Sequence, residues 1–196
     1  MLRFYYGVMG SSKTAQLLMQ RYNLQQLGLR VALVKPAVDT RIGEGIVYSR
    51  VGLQAQAELV LESGHSAREQ LLWLAARNAS SGFEHVFIDE AQFLTPEQVQ
   101  ELADMSDRLE IYCYGLKTDF QGNFFPGSAA LLRLAEEIRE VPGGLCWCGA
   151  KATMNTRIDR DGRVIKTGEQ LLIDNQQDIR YIGLCYRHWR QGISHA

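Results

Sequence analysis

The first residues that could do chemistry form a small, glycine-rich loop near the N-terminus: Gly7, Val8, Met9, Gly10, Ser11, Ser12, Lys13 and Thr14. Their spacing is close to G-x-x-x-x-G-K-[ST], in which small residues let successive backbone N–H groups face a polyphosphate. Lys13 would reach the β- and γ-phosphates of ATP, and the hydroxyl of Thr14 would ligate Mg²⁺. Ser12 departs from the pattern, because it stands where the second glycine belongs and its side chain narrows the allowed backbone angles. The alternative is a generic Gly/Ser turn with an incidental lysine.

A pair of acids, Asp89 and Glu90, follows the apolar stretch Glu84–Ile88. That stretch predicts a buried strand, and parallel sheets bind ligands at the carboxyl ends of their strands. Asp89 would hold Mg²⁺, directly or through water, and Glu90 would accept a proton from an attacking hydroxyl or water near the γ-phosphate. The alternative is a solvated acid pair at a strand end. Together with the loop, the pair predicts phosphoryl transfer.

Three cysteines and a histidine in the last quarter of the chain form two pairs, Cys146 with Cys148 and Cys185 with His188. Together they supply four ligands for a tetrahedral Zn²⁺, although C-x-C is tighter than the usual spacing. No ligand position would remain open to a substrate, so the predicted zinc site is structural. The alternative is three buried thiols and a surface histidine. Cys113, within an apolar stretch, is typical of a core residue.

Alternating strand-like and helix-like stretches must position these groups. Strands are predicted at Leu2–Tyr6, Arg30–Lys35, Ile46–Val51, Glu84–Ile88 and Glu110–Tyr114, and helices at Lys13–Leu27, Ser66–Arg77, from Thr95 onward and at Ser128–Ile138. Thr95 and Gln98 form a capping box, with Pro96 at the first helical position. This alternation predicts an α/β fold with a parallel sheet.

The character of the sequence changes around Pro142, Gly143 and Gly144. Residues 1–142 are expected to form the ATP-binding domain, and residues 143–196 a small unit with a hairpin-like IDRDGRVI segment. The small unit has too few apolar residues to hold together without a staple such as zinc. A chain of 196 residues is also short for two helicase-type lobes, each of a typical ~100–200 residues.

Composition narrows the classes of function. The chain is 46% apolar and 22% charged, which is ordinary for a globular protein, and its net charge of -1 favours neither nucleic acid nor an anionic membrane. No apolar run approaches the ~20 residues of a membrane helix, and the N-terminus lacks the layout of a secretory signal. We therefore expect a cytoplasmic protein without membrane or nucleic-acid partners.

The ordered set of motifs resembles the type II thymidine kinases, the class of cytosolic thymidine kinase and its bacterial relatives. The resemblance rests on three motifs: the phosphate loop with methionine at its third position, the IDEAQF segment, and the Cys pair with a closing C-x-x-H. Further matching segments lie between them in the same order: VDTR (38–41), YSRVG (48–52), YGLKTDFQG (114–122), TRID (156–159) and GEQLLI (168–173). It implies a RecA-like P-loop domain with a zinc domain, usually tetrameric. It also implies γ-phosphate transfer from ATP to the 5′-hydroxyl of thymidine, with inhibition by thymidine triphosphate (dTTP).

The resemblance implies a role for individual residues. Glu90 resembles the catalytic base, and the ATP and Mg²⁺ site would consist of residues 7–14 with Asp39, Arg41, Asp89 and Gln92. The thymidine site would consist of Met9, Phe93, Phe125 and a lasso loop from about Arg157 to Tyr181 that includes Leu171, Leu172 and Ile173. The lasso departs from the family pattern, because Asp174-Asn175 replace Gly-Gly and the run to Tyr181 is longer. Asp and Asn tolerate left-handed backbone angles better than most residues.

Two other functions fit parts of the sequence. A nucleic-acid-dependent ATPase would also combine a phosphate loop, an acidic box and a zinc unit, although the chain length and charge disfavour it. A non-catalytic zinc-stapled binding protein would explain Ser12 as a decayed phosphate loop. For a kinase, we expect deoxyuridine to be accepted as well, because it differs from thymidine by one methyl group, worth only ~1–3 kcal/mol.

Overall fold

The computed structural model describes residues 1–39, 43, 45–77, 82–170 and 179–195. Its strands are β1 (Leu2–Tyr6), β2 (Val31–Pro36), β3 (Ile46–Tyr48), β4 (Gln54–Gln56), β5 (Leu59–Leu61), β6 (His85–Ile88), β7 (Glu110–Gly115), β8 (Glu137–Glu140), β9 (Met154–Ile158), β10 (Val164–Ile165) and β11 (Arg180–Leu184). Its helices are α1 (Lys13–Gln26), α2 (Ala67–Arg77), α3 (Pro96–Met105), α4 (Pro126–Leu134) and α5 (Tyr186–Gln191), with a 3-10 turn at Ala91–Phe93.

Six parallel strands form the central sheet, in the order β5-β2-β6-β7-β1-β8. The middle strands are apolar on both faces because helices cover both sides. Val86 and Ile88 of β6 face the core shared with α2, α3 and α4, whereas Phe87 between them faces the core shared with α1. The predicted α/β fold with a parallel sheet is confirmed.

The helix predicted at Ser128–Ile138 is wrong at its C-terminal end. Helix α4 ends at Leu134, where Ala135 is already extended (φ -69°, ψ 132°), and the chain continues as β8 beside β1. Glu136 links the two segments, since its N–H donates to the Leu2 carbonyl and its carboxylate accepts from the Leu2 N–H, each at 2.9 Å. Pairing at the sheet edge therefore overrides the helical spacing of the apolar residues.

The strand predicted at Ile46–Val51 is also only partly right. It ends at Tyr48 and pairs antiparallel with β4 in a separate hairpin instead of extending the central sheet. The turn between them closes with a hydrogen bond from the Ser49 N–H to the Leu53 carbonyl (2.8 Å), and Gly52 has a left-handed φ of 91°. The short strands β4 and β5 were not predicted from the sequence.

A second, three-stranded antiparallel sheet follows, in the order β10-β9-β11, with α5 after it. Its β9–β10 pairing confirms the predicted IDRDGRVI hairpin, in which Val164 lies opposite Ile158. The predicted capping box of α3 is also present, because the Thr95 hydroxyl accepts from the Gln98 N–H (3.2 Å) and the Gln98 side chain accepts from the Thr95 N–H (3.1 Å). In the ranges that the structure describes, no helix has the length and apolar character needed to cross a bilayer.

Candidate active site and metal centre

The carboxyl ends of β1, β2, β6 and β7 open into a cavity of about 570 Å³. This is the edge of a parallel sheet at which ligands bind, and the size falls in the usual range for ligand pockets. The cavity brings together most of the sequence-predicted residues that the structure describes, and its wall includes Met9, Gly10, Ser12, Lys13, Thr14, Asp39, Asp89, Glu90, Gln92, Phe93, Phe125 and Tyr181. We call residues 7–14 with Asp89 and Glu90 the catalytic edge.

The phosphate loop has the backbone that its small residues allow. A Cβ on Gly7 would lie 2.4 Å from the Ser11 hydroxyl oxygen and 3.3 Å from the Val141 carbonyl oxygen, so a larger residue would force its neighbours to shift, and Gly10 has a left-handed φ of 81°. Ser12, where the second glycine of the pattern belongs, also adopts a left-handed conformation (φ 62°, ψ 24°) immediately before α1. A serine in that conformation costs about 1–2 kcal/mol relative to glycine. Serine in place of glycine at position 12 therefore keeps the backbone conformation of the loop but makes it less stable.

The side chains of the loop converge on the end of β6. The Thr14 hydroxyl donates to the Asp89 carboxylate, with 3.0 Å to the nearer oxygen. The Lys13 ammonium donates to the carbonyls of Val8 (2.9 Å) and Gly7 (3.2 Å). A hydroxyl and a carboxylate next to a helix N-terminus form the donor set that suits a hydrated Mg²⁺ beside phosphates.

The environment of Asp89 favours its neutral form in the free protein. Burial, together with the negative charge of neighbouring Glu90, raises the pKa of Asp89 to about 7, against the favourable hydrogen bond from Thr14. Its side chain is only 6% exposed, so water does little to stabilise the carboxylate. A cation bound at this position would reverse the balance and favour the charged form.

Glu90 sits in a strained turn between β6 and the 3-10 turn. Its φ of 50° and ψ of 39° are left-handed, and within the described residues only Ser12 and Glu90 combine a side chain with a positive φ. Gln92 holds its carboxylate, because the Gln92 side-chain amide donates to Glu90 Oε2 at 2.6 Å and accepts from the Leu116 N–H at 3.0 Å. Strained residues persist where the surroundings over-determine them, and they concentrate at functional sites.

Aromatic residues form the wall farther along the cavity. The rings of Phe93 and Phe125 meet edge to face, with centroids 5.8 Å apart, and Phe120 and Tyr181 also line the cavity. Met9, a residue of the phosphate loop, also lines the cavity, and its N–H donates to the Asn155 side chain at 2.8 Å. The faces of such rings could pack against a flat ring such as a nucleobase.

Among the predicted residues that the structure describes, Gly7, Val8, Ser11 and Arg157 do not line the cavity. Arg157 does not contribute to the cavity wall formed by the described residues; it lies behind Tyr181, 1% exposed. The predictions for Arg41, Leu171, Leu172, Ile173 and the Asp174-Asn175 departure fall outside the described residues. Their roles stay predictions.

Sequence reasoning missed Lys35 and Asn155, which both line the cavity. Lys35, 2% exposed, forms an ion pair with Asp39 (3.1 Å) and donates to the Ile46 carbonyl (2.9 Å). A lysine at the end of the apolar run RVALVK was a usable signal, because a charge that ends a buried strand needs a partner. Asn155 links β9 to the phosphate loop, since it accepts from Met9 and donates to the Thr118 carbonyl (2.6 Å); no local pattern distinguishes it.

Cys146, Cys148, Cys185 and His188 meet as a cluster whose ligand atoms all lie within 4.8 Å of one another. The Nδ1 atom of His188 is 3.3 Å from the Cys146 sulfur and 3.5 Å from the Cys185 sulfur. Zn–S and Zn–N bonds of about 2.3 and 2.0 Å give tetrahedral edges of roughly 3.5–3.8 Å, so one Zn²⁺ fits this donor set. We call these four residues the metal centre. The predicted cluster is confirmed, and it could hold a metal such as zinc.

The surroundings of the metal centre also suit a metal. Burial disfavours the charged form of Cys146, but backbone N–H groups of Cys148 and Cys185 and the His188 side chain lower its pKa to about 6, and the thiolate is the form that binds metal. Trp147 stacks on His188 with ring centroids 4.3 Å apart, which fixes the imidazole plane. Cys113 is buried apart from this cluster, as predicted for a core residue.

Comparison with known proteins gives a consistent result. The family model described as thymidine kinase matches residues 1–189. The chain is similar to three proteins named thymidine kinase. The protein from Yersinia pseudotuberculosis is 40% identical, and the alignment covers 100% of this chain and 97% of the relative. The proteins from Rhizobium meliloti (42% identical, 96% of this chain and 95% of the relative) and Legionella pneumophila (40% identical, 97% of this chain and 90% of the relative) are similar to the same extent. A solved Pif1 helicase from Candida albicans aligns with 71% of this chain and 35% of its own, at 14% identity and a TM-score of 0.40, a likeness too slight to bear on function.

Proposed function

The chain belongs to the thymidine kinase family, and on that premise we propose that it transfers the γ-phosphate of ATP to the 5′-hydroxyl of thymidine. The enzyme class is therefore that of a nucleoside kinase. The observation that carries the proposal is the cavity itself, in which the phosphate loop and the acids at the end of β6 share one space with the Phe93–Phe125 pair. A nucleic-acid-dependent ATPase would not require this aromatic pair beside its phosphate loop, whereas a nucleoside kinase needs such a wall to bind the base.

At the ATP end, the N–H groups of residues 7–14 and the N-terminus of α1 bind the phosphates, and Lys13 contacts the β- and γ-phosphates. Mg²⁺, when bound, supplies positive charge to the phosphate oxygens, and Thr14 and Asp89 are the residues that would hold it. Asp39, anchored by Lys35, borders the same space. These assignments rest on the position of each side chain at the catalytic edge.

At the acceptor end, Glu90 takes the proton of the thymidine 5′-hydroxyl as that oxygen attacks the γ-phosphate. The Gln92 side-chain amide donates a hydrogen bond to Glu90 Oε2, which orients the carboxylate. A general base of this kind must come within hydrogen-bond reach of the hydroxyl, and the cavity allows the nucleoside to lie between Glu90 and the aromatic wall.

Phe93 and Phe125 enclose the thymine ring, and Met9 lies near its 5-methyl group. Cytosine would be rejected because its exchanged donor and acceptor would leave buried groups unpaired, whereas deoxyuridine lacks only the methyl and would be phosphorylated appreciably. Equal rejection of deoxyuridine and deoxycytidine in a kinase assay would contradict this pocket.

The remaining features of the proposal concern assembly and regulation. Residues 143–196 form a zinc-stapled nucleoside-binding domain on the ATP-binding domain of residues 1–142, and the zinc is structural. dTTP inhibits by filling both substrate positions, since it joins a thymidine group to a triphosphate. The enzyme assembles as a homotetramer and acts in the cytoplasm. These points follow the family resemblance.

The test is an ATP-dependent phosphorylation assay with thymidine on the wild type and on Glu90→Gln. We expect kcat to fall about 10²–10⁴-fold, the usual contribution of a general base, with thymidine binding retained. Glu97→Gln, an exposed acid in the first turn of α3, is the matched control and should keep its rate.

Three outcomes would contradict the proposal. Unchanged turnover of Glu90→Gln would remove Glu90 from its role. ATP hydrolysis stimulated by DNA but not by thymidine would indicate a nucleic-acid-dependent ATPase. Thymidine binding without any phosphoryl transfer in the wild type would indicate a non-catalytic binding protein.

A further inference from the structure

The guanidinium of Arg157 lies directly behind the nucleoside end of the cavity without contributing to the wall that the described residues form. It is 1% exposed, and Arg157 is among the largest fully buried side chains of the described residues. An arginine is rarely buried to this extent unless its donors are used, because desolvating the charge is costly. The partners of Arg157 therefore indicate what its burial achieves.

Each contact of Arg157 reaches a different part of the cavity wall. Its guanidinium carbon lies 3.7 Å from the centre of the Phe120 ring, and its Nε–H donates to the Tyr181 hydroxyl at 2.9 Å. Its Nη2 donates to the Glu169 carbonyl at 2.8 Å, beside Gln170. Phe120, Gln170 and Tyr181 all line the cavity. One buried side chain thus contacts Phe120, Tyr181 and the backbone next to Gln170, which all belong to the cavity wall.

The strand pairing makes this arrangement rigid. Arg157 on β9 lies directly opposite Tyr181 on β11, so the two side chains start from neighbouring backbone positions. Gln170 is held from its other side, because its amide donates to the buried Asp119 carboxylate at 2.9 Å. The planar guanidinium, with several donors in a fixed fork, suits such a position, whereas lysine offers neither the plane nor the fork.

The contact with Tyr181 also restricts its hydroxyl, because one lone pair of the oxygen accepts from Arg157. A phenol oxygen that accepts a hydrogen bond from Arg157 still has its own proton to donate. Because Tyr181 lines the cavity, that proton could be donated to an acceptor atom of a ligand bound within its reach. Without Arg157, the hydroxyl could turn and become an acceptor instead.

We propose that Arg157 is a positioning residue for the nucleoside: it does not touch the substrate, but it holds Phe120 and Tyr181 in place and orients the Tyr181 hydroxyl as a donor toward it. This inference rests on the proposed nucleoside kinase function. It differs from the substrate contact that the family resemblance implies for Arg157, because the effect passes through Tyr181.

The test combines Arg157→Met with Tyr181→Phe, alone and together. We expect Arg157→Met to raise the KM for thymidine about 10- to 100-fold, the usual loss for a hydrogen bond to a charged group, and the KM for ATP less than about threefold. In the Tyr181→Phe background the same substitution should raise the thymidine KM only about threefold, since the shared contact is already lost. Arg133→Met, an exposed arginine in the last turn of α4, is the matched control and should leave both KM values unchanged.

Equal effects of Arg157→Met in the two backgrounds, or equal increases in the KM for thymidine and ATP, would overturn the proposal and leave a purely structural arginine. If Arg157→Met does not fold, Arg157→Lys replaces it in the same cycle, with the same sign and a smaller effect. If the wild type does not phosphorylate thymidine, the proposed function fails independently. The Arg157–Tyr181 contact is then tested without substrate by the ¹³Cζ NMR signal of Tyr181, assigned by its loss in Tyr181→Phe; no shift of that signal in the arginine variant would overturn the proposal.

Discussion

The catalytic edge holds its polar groups in conformations and protonation states that they would not adopt alone, whereas the metal centre brings together donor atoms that suit a single ion. At the catalytic edge, Ser12 and Glu90 have left-handed backbones and Asp89 is buried beside another acid. In the metal centre, His188 and the cysteine sulfurs already lie at distances close to a tetrahedral edge. The catalytic edge therefore destabilises the free protein, whereas the metal centre stabilises the protein once metal is bound.

The difference has a physical reason. The catalytic edge is supported by a six-stranded sheet with helices on both faces, so its strain is spread over a large core. The sheet of β9, β10 and β11 has only three short strands, and we expect it to depend on a staple. Substitutions in the two regions should therefore change stability in opposite directions.

The largest expected effect is at the metal centre. Cys185→Ser should lose stoichiometric zinc and lower the free energy of unfolding by more than about 4 kcal/mol, because loss of a metal site belongs to the most destabilising class of change. Zinc content and denaturant unfolding measure both quantities. Cys113→Ala, a cysteine outside the cluster, should keep its zinc. A Cys185→Ser protein that retains one zinc per chain would contradict the assignment.

A smaller effect of opposite sign is expected at Asp89. Its pKa is about 7 in the folded free protein and near 4 when unfolded, so the folded state binds the extra proton between these values. The resulting stabilisation is complete below about pH 4 and is lost as the pH rises through about 7. Asp89→Asn should remove this dependence and, at pH 8 without Mg²⁺ or nucleotide, raise the free energy of unfolding by on the order of 2–4 kcal/mol.

Thermal unfolding of the wild type and Asp89→Asn at several pH values between 5 and 8 measures this effect. Asp104→Asn, on the exposed side of α3, is a suitable control because its carboxylate lies at the surface, in an ion pair with Arg68. If the difference in stability between the wild type and Asp89→Asn is the same at pH 8 as at pH 5, burial of the Asp89 carboxylate beside Glu90 does not destabilise the folded protein.

The smallest effect is expected at Ser12. Ser12→Gly should raise the free energy of unfolding by about 0.5–1 kcal/mol, because glycine adopts the left-handed conformation without a penalty but loses more entropy on folding. Ser106→Gly, at a right-handed position (φ -68°) after α3, should lower it. Differential scanning calorimetry on both variants gives the comparison. If Ser12→Gly is destabilising, the contacts of the serine side chain stabilise the fold by more than the left-handed backbone strain destabilises it.

The parts of the site that could be predicted are those in which chemistry lies within one short segment. The phosphate loop, the Asp89–Glu90 pair and each cysteine pair are contiguous, so their spacing indicates their geometry directly. The strands of the central sheet were also predictable where they are long and apolar, as for β1, β6 and β7. The three-residue strands β4 and β5 carry too few residues for a periodic pattern.

Other contacts depend on distant parts of the chain. Glu137–Glu140 became a strand because β1 offered a free edge, against a helical pattern. Lys35 meets Asp39 and the Ile46 carbonyl, and Asn155 bridges the phosphate loop to the Thr118 carbonyl, through side chains that no local pattern marks.

By itself, the sequence determined that this chain has an α/β fold, a phosphate loop followed by strand-end acids, and a Cys/His metal cluster. These features are encoded within short segments, where spacing fixes which atoms can meet. Only the tertiary structure decided that Ser12 keeps the left-handed shape of a glycine, that Gln92 holds Glu90, and that Arg157 lies behind the wall instead of in it. Each depends on residues brought together by sheet pairing and core packing, and burial and strain exist only after that packing.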